Sequence, residues 1–212
     1  MRQPHSVFFD LDGTLTDPWL GISRCIEHAL DSLDIERDSG DDYRWCIGPP
    51  LRESLSILAG SDLSERALSI YRERFSDLGW QENAPYDGIH AALDALAGSG
   101  SELYVATSKP RVYAIRILEH FDLLPFFTAV YGAELDGTRS DKSELLAYAL
   151  SQHTVNQPVM VGDRRHDVIG AASNGMRAIG VSYGYGSVEE LLAAGAEQIV
   201  DSPSGLIDVL QA

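Results

Sequence analysis

Lysine is almost missing from this chain: of 212 residues, only Lys109 and Lys142 carry an ammonium group. Cysteine is as scarce. Cys25 and Cys46 form no CxxC pair, which excludes a small disulfide scaffold and leaves two free thiols. No apolar run approaches the roughly 18 residues of a membrane-spanning helix, so no membrane partner is expected. Residues 1–5 lead straight into a short apolar run without a secretory h-region, and the expectation is a soluble, cytoplasmic protein. Positive charge is also short, with 16 basic against 32 acidic residues and a formal net charge of −16. Such a chain repels polymeric phosphate, and its arginines are scattered, so nucleic-acid polymer is not an expected partner. A small phosphate can still be held by a metal or by a few aimed cations. What remains is ordinary for a globular protein, with 44% hydrophobic and 23% charged residues. The length suits one core domain carrying an insertion better than two equal halves.

Ser6-Val7-Phe8-Phe9 is a nearly continuous apolar run ending at Asp10, the pattern of a strand buried on both faces. From Pro18 to about Leu33, then after Pro50, then from about Asp62 to Leu78, apolar residues recur at helical spacing. Nothing from 17 to 84 reads as a strand. After Pro85 the pattern alternates. Helices at 88–98, 110–121, 140–151 and 165–174 interleave with strands at 103–106, 127–131, 159–161 and 177–181. Ser187 and Glu190 form a capping box for a helix through Ala194; a strand at 198–200 and a helix from Ser204 follow. Repeated βα units predict an α/β fold, a doubly wound parallel sheet with helices on both faces. The expected division is a core of residues 1–16 and 85–212, with a small all-helical cap of residues 17–84 inserted after the first strand.

In an open parallel sheet, ligands sit beyond the carboxyl ends of the strands. Strand one ends in Asp10-Leu11-Asp12-Gly13-Thr14, the next in Thr107-Ser108-Lys109, and a later one in Gly162-Asp163, while Lys142 opens a helix. Any one of these is commonly a cap or turn residue; together at strand ends they read as a site.

Phe9-Asp10-Leu11-Asp12-Gly13-Thr14-Leu15 resembles the first motif, DxDGT, of the haloacid dehalogenase-like (HAD) hydrolases. Val105-Ala106-Thr107-Ser108 resembles the second motif, Lys142 the third, and Gly162-Asp163-Arg164-Arg165-His166-Asp167 the fourth, GDxxxD. The four occur in order over nearly the whole chain, with the helical block where one subfamily places its cap. The resemblance implies a Rossmann-like core and an aspartyl-phosphate mechanism. In it Asp10 is the nucleophile and Asp12 the general acid and base. Thr107, the Ser108 amide and Lys142 hold the phosphoryl oxygens. Mg²⁺ is the implied cofactor, bound by Asp10, the backbone carbonyl of Asp12, and Asp163, with Asp167 in support. Ile47-Gly48-Pro49-Pro50-Leu51-Arg52 matches the cap's specificity loop, so Arg52 is either a clamp on substrate phosphate or a surface ion pair. Lys109 reads either as an exposed lysine opening a helix, against the dipole, or as a neighbour of the anionic site. Tyr43 and Trp45 either stack on a substrate base or pack between helices.

Asp12 argues against a dehalogenase, and the absence of lysine from 17–84 against a phosphonatase. A phosphatase is the expectation. Ile47–Leu51, Gly132–Gly137 and Tyr183–Ser187 resemble a bacterial subgroup regarded as 5′-nucleotidases, within the phosphoglycolate phosphatase-like branch. The expected substrate is a small phosphorylated metabolite, a nucleoside 5′-monophosphate, with phosphoglycolate as runner-up and no protein partner implied. A phosphate-binding module without turnover is the non-enzymatic alternative.

Overall fold

Apolar segments that alternate with amphipathic helices leave the strands no face for water, and here they pair into one parallel sheet. The computed structural model describes residues 5–37 and 40–211. Along the first half run β1 (Ser6–Phe9), β2 (Thr16–Asp17), α1 (Trp19–Asp31), α2 (Leu51–Ala59), α3 (Ser64–Arg74), β3 (Ala84–Pro85) and α4 (Ile89–Gly98). There follow β4 (Glu102–Pro110), α5 (Arg111–His120), β5 (Ala129–Ala133), α6 (Lys142–Ser151) and β6 (Val159–Gly162). The chain closes with α7 (Arg165–Ser173), β7 (Arg177–Val181), α8 (Val188–Ala194), β8 (Gln198–Val200) and α9 (Pro203–Gln211).

The sheet order is β5-β4-β1-β6-β7-β8, and every neighbouring pair is parallel. Strand alternation divides the core between two faces. Val7 and Phe9 join the cluster that includes Leu93, Leu96, Ile117 and Leu206 from α4, α5 and α9. Phe8 joins Leu145, Val168 and Leu191 from α6, α7 and α8. The sheet is doubly wound. Chain order reverses at β1, which lies between β4 and β6, so the crevice for a ligand opens beyond its carboxyl end. Phe9 is in register with Val105 and Val161, which brings Asp10, Thr107 and Asp163 to one edge.

Helices α1, α2 and α3 lie between β2 and β3, and their apolar faces (Ile26, Leu55, Leu68) belong to the same buried cluster as Val7 and Phe9. Contrary to the all-helical reading of 17–84, Asp17 and Ala84 pair across an antiparallel ribbon, as do Thr16 and Pro85. Two residues per strand are too few for alternation to show. The third helix stops at Arg74, and a π-helical turn carries the chain through Phe75–Gly79. A 3₁₀ turn at Leu124–Phe126, with Pro125 in its first positions, delays the expected strand at 127 to Ala129. Strand β4 outruns its expected end at Ala106 and continues to Pro110 through a register shift after Thr107. Lys109 therefore opens no helix. Both cysteines are buried and unpaired, and burial pushes their thiols up to about 11 for Cys25 and about 12 for Cys46. Among the described residues, no helix is long and apolar enough to cross a membrane.

Candidate active site

Strand pairing continues one residue past β1, because the Asp10 amide donates to the Val161 carbonyl at 2.9 Å. That bond fixes the Asp10 backbone at the mouth of the crevice, with the residue 4% exposed. The chain then turns tightly: the amides of Leu15 and Thr16 both donate to the Leu11 carbonyl, at 2.9 and 3.0 Å. Gly13 permits the turn with φ +87°, and a Cβ there would lie 2.2 Å from Asp163 Oδ2. Only glycine allows both the backbone angle and the approach of the two loops.

Asp163, at the end of β6, and Asp167, in the first turn of α7, are fully or almost fully buried. With Asp10 they form a trio whose ligand oxygens lie within 4.8 Å of one another. Burial pushes Asp163 well above the usual carboxylate range, and pushes Asp167 up to about 6. Lys142, held at the start of α6 where the Asp141 side chain caps the Glu144 amide at 3.0 Å, reaches into the same space. Its Nζ lies 2.7 Å from Asp167 Oδ1 and 3.1 Å from Asp10 Oδ1, and donates to the Ala106 carbonyl at 2.8 Å. Burial works against the ammonium, yet Asp10 and Asp167 hold its pKa above the ordinary lysine value.

One ammonium faces three carboxylates. Asp10 Oδ1 and Asp163 Oδ1 are buried without a hydrogen-bond partner, the former meeting Lys142 only as an ion pair. Buried oxygens in that condition are costly unless a cation takes them up. A divalent ion would balance the charge left after Lys142, and an all-oxygen donor set suits Mg²⁺. The residues fit the metal expected from the sequence. The Asp12 carboxylate is not one of the trio, so what is expected of Asp12 as a ligand is its backbone carbonyl. Its side chain forms an ion pair with Lys109 Nζ, both groups being largely buried. Burial raises the pKa of Asp12, with Lys109 pulling the other way.

Lys109 thus stands beside the anionic site, and its reading as an exposed lysine is overturned. Nζ also sits 4.8 Å from the Phe75 ring. Thr107 is buried and its Oγ1 accepts the Lys109 amide at 3.2 Å; Ser108 Oγ donates to the Ser140 carbonyl at 3.1 Å. Asp10, Asp12, Thr107, Ser108 and Lys109 line the floor of a cavity of about 360 Å³. The pattern of the haloacid dehalogenase-like hydrolases matches residues 7–181.

The chain belongs to that family. It is 46% identical over 197 residues to a 5′-nucleotidase of Pseudomonas aeruginosa, covering 91% of this chain and 89% of that protein. It is 42% identical over 190 residues to the tyrosine-protein kinase PtkA of Mycobacterium tuberculosis, covering 89% of this chain but 65% of that protein. Among solved structures, a Clostridium acetobutylicum protein described as a predicted phosphatase superposes with a TM-score of 0.92 at 40% identity. That match covers 99% of this chain and 100% of the other. Family and relatives mark the chain as a HAD-type phosphatase.

In this HAD-like hydrolase the opposite cavity wall comes from the helical segment and its loops. Arg52 is on the lining but half exposed, in an ion pair with Glu65. Tyr43 is buried in the core, and neither it nor Trp45 lines the cavity. Of the two readings open for this pair, contact with a substrate base is not supported, and Tyr43 packs in the core. Tyr71, Phe75 and Tyr113 line the cavity instead. Tyr71 and Phe75 stack at 5.6 Å, and Phe75 meets Tyr113 edge-on at 5.1 Å. Tyr71 and Phe75 are four residues apart where α3 runs into the π-helical turn, the spacing of core residues, and Tyr113 is on α5, so sequence alone does not single them out.

Proposed function

We propose that this phosphatase hydrolyses nucleoside 5′-monophosphates through a phosphoryl group carried transiently on Asp10. The observation that carries the reading is the cavity itself. Asp10, Asp12 and the Lys109 ammonium lie on its lining together with an aromatic cluster of Tyr71, Phe75 and Tyr113, the Phe75 ring 4.8 Å from Lys109 Nζ. Its volume falls in the range of small-molecule sites and leaves room beyond the phosphoryl group for a flat, stackable leaving group. The 46% identity to a protein named 5′-nucleotidase supports the same choice.

Asp10 attacks phosphorus in line with the bond to the leaving oxygen. Asp12 donates a proton to that oxygen, then accepts one from the water that attacks phosphorus and frees Asp10; burial raises its pKa, which suits the donor role, while Lys109 pulls the other way. Lys142, Thr107 and the Ser108 amide hold the phosphoryl oxygens as charge shifts among them. A bound Mg²⁺, held by Asp10, Asp163 and the Asp12 carbonyl with Asp167 in support, would offset the repulsion between carboxylate and phosphate dianion.

The test is kcat/KM across a panel of phosphomonoesters with Mg²⁺. Nucleoside 5′-monophosphates are expected to exceed phosphoglycolate by about tenfold or more, roughly 1.4 kcal/mol. A reversed order would overturn the substrate assignment. Phosphate binding without turnover of any ester would overturn hydrolysis.

A further inference from the structure

The cavity wall contributed by residues 48–51 is joined to the sheet edge by one side chain. Arg164 follows Asp163 directly and precedes α7. Its Nη1 donates to the carbonyl of Ile47, and its Nε donates to Glu190 Oε1 at 3.0 Å. Glu190 is fixed in turn by the Arg165 amide at 2.9 Å. Through its own amide Arg164 donates to Asp167 Oδ2 at 3.1 Å. One residue thus links the carboxylate trio to a loop 117 positions away in sequence. The Arg164 side chain is 13% exposed, so water competes little for these charge-assisted bonds. The following residue bears out how tightly the loop is seated. Gly48 has φ +105°, and a Cβ there would lie 2.7 Å from Arg164 Cγ. Past that contact, Gly48, Pro49, Pro50 and Leu51 form cavity wall, stiffened by two fixed proline φ angles.

We propose that Arg164 is the positioning residue that seats the 47–51 loop over the cavity and so sets discrimination between leaving groups. Its guanidinium is spent on Ile47 and Glu190, and it works through the loop without touching the transferring phosphoryl group. The inference rests on the phosphatase reading for its kinetic consequence, so its test includes an arm that needs no substrate.

Arg164→Met removes both donors while keeping most of the apolar stem; Arg164→Lys keeps the charge but not the forked geometry. Gly48→Ala disturbs the same contact from the loop side and leaves Arg164 intact. In the substrate-free protein, amide hydrogen exchange across 44–52 is expected to quicken about tenfold in Arg164→Met and Gly48→Ala, while the rise in Tm on adding Mg²⁺ persists. KM for the preferred phosphomonoester is expected to rise roughly tenfold, with kcat/KM on p-nitrophenyl phosphate changing less than about threefold and Arg164→Lys falling between. Unchanged exchange in both the Met and Ala variants would overturn the proposal. So would equal loss on both esters, or loss of the Mg²⁺ effect, either of which would place Arg164 in support of the carboxylate trio. If no nucleotide is turned over, the exchange arm decides the matter alone.

Discussion

Replacing Lys142 by methionine tests the electrostatic balance of the site. The side chain is 4% exposed and lies against Asp10 and Asp167, themselves 6% and 2% exposed. Solvent screening is therefore slight. Removing one partner from such a buried pair costs about 3–5 kcal/mol, because the carboxylates remain without a counter-charge. For a chain of this size that is roughly 6–20 °C in the Tm of the metal-free protein. Mg²⁺ at a hundred times its Kd stabilises either protein by about 2.7 kcal/mol; at one fixed concentration the deficit should narrow by as much as the variant, its carboxylates relieved of a competing ammonium, binds the ion more tightly. Adding Asp167→Asn to the lysine variant should recover part of the metal-free loss, because the two changes remove opposite partners of one contact. With Mg²⁺ saturating, kcat should still fall by about 10²–10³, the cost of losing one aimed donor to developing charge. Thermal melts with EDTA and with Mg²⁺, alongside phosphate release, measure all of this. A metal-free Tm within about 2 °C of wild type, under 1 kcal/mol on the same scale, would refute the charge argument, and retained kcat would remove Lys142 from phosphoryl binding.

Arg52→Ala is expected to lower kcat/KM for the preferred ester by roughly 10–100-fold, about 1.4–2.7 kcal/mol, with a smaller change on p-nitrophenyl phosphate. Its pair with Glu65 is half exposed and so worth at most about 1 kcal/mol, cheap to exchange for a substrate; equal rates for wild type and variant would leave Arg52 a surface residue. Gly13→Ala should push Asp163 aside, since the new Cβ would stand 2.2 Å from its Oδ2. The expected result is a weakened Mg²⁺ effect on Tm, and an undiminished effect would show that the loop yields instead. In the metal-free protein, burial lifts Asp167 to about 6 from the ordinary 3.8, so the fold favours its protonated form. That stability is complete below 3.8 and lost as pH rises through about 6. The stabilisation gained on adding Mg²⁺ should therefore grow between about pH 5 and 7; a pH-independent gain would contradict the placement of Asp167 beside the metal.

The central strand and its carboxylate were legible because a run apolar on both faces that ends in aspartate has few other uses in a parallel sheet. The same logic marked Thr107, Asp163 and Lys142, each at an element end that the structure brings to one edge. Lys109 was ambiguous for a local reason. Pro110 suggests a helix start, while the register shift that carries β4 to Pro110 depends on β5, outside any local window. The aromatic wall leaves no separate signal in the sequence because Tyr71 and Phe75 have helical spacing and belong, like Tyr43, to the buried core cluster. The ribbon of Thr16–Asp17 with Ala84–Pro85 is too short to leave a period. Arg164 carries no sequence signal of its bond to Ile47, since a backbone carbonyl can belong to any residue type.

The account stands most directly on where the phosphoryl group goes. Single-turnover reaction of the Asp12→Asn variant with Mg²⁺ and p-nitrophenyl phosphate, whose leaving group departs without a proton from Asp12, quenched in acid and read by peptide mass spectrometry, tests it. With the proton acceptor for the second step removed, the mass of one phosphoryl group is expected on the peptide containing Asp10, and on none when Asp10→Asn is added. Phosphate release by Asp10→Asn at near the wild-type rate, or the adduct on another residue, would contradict the aspartyl-phosphate route.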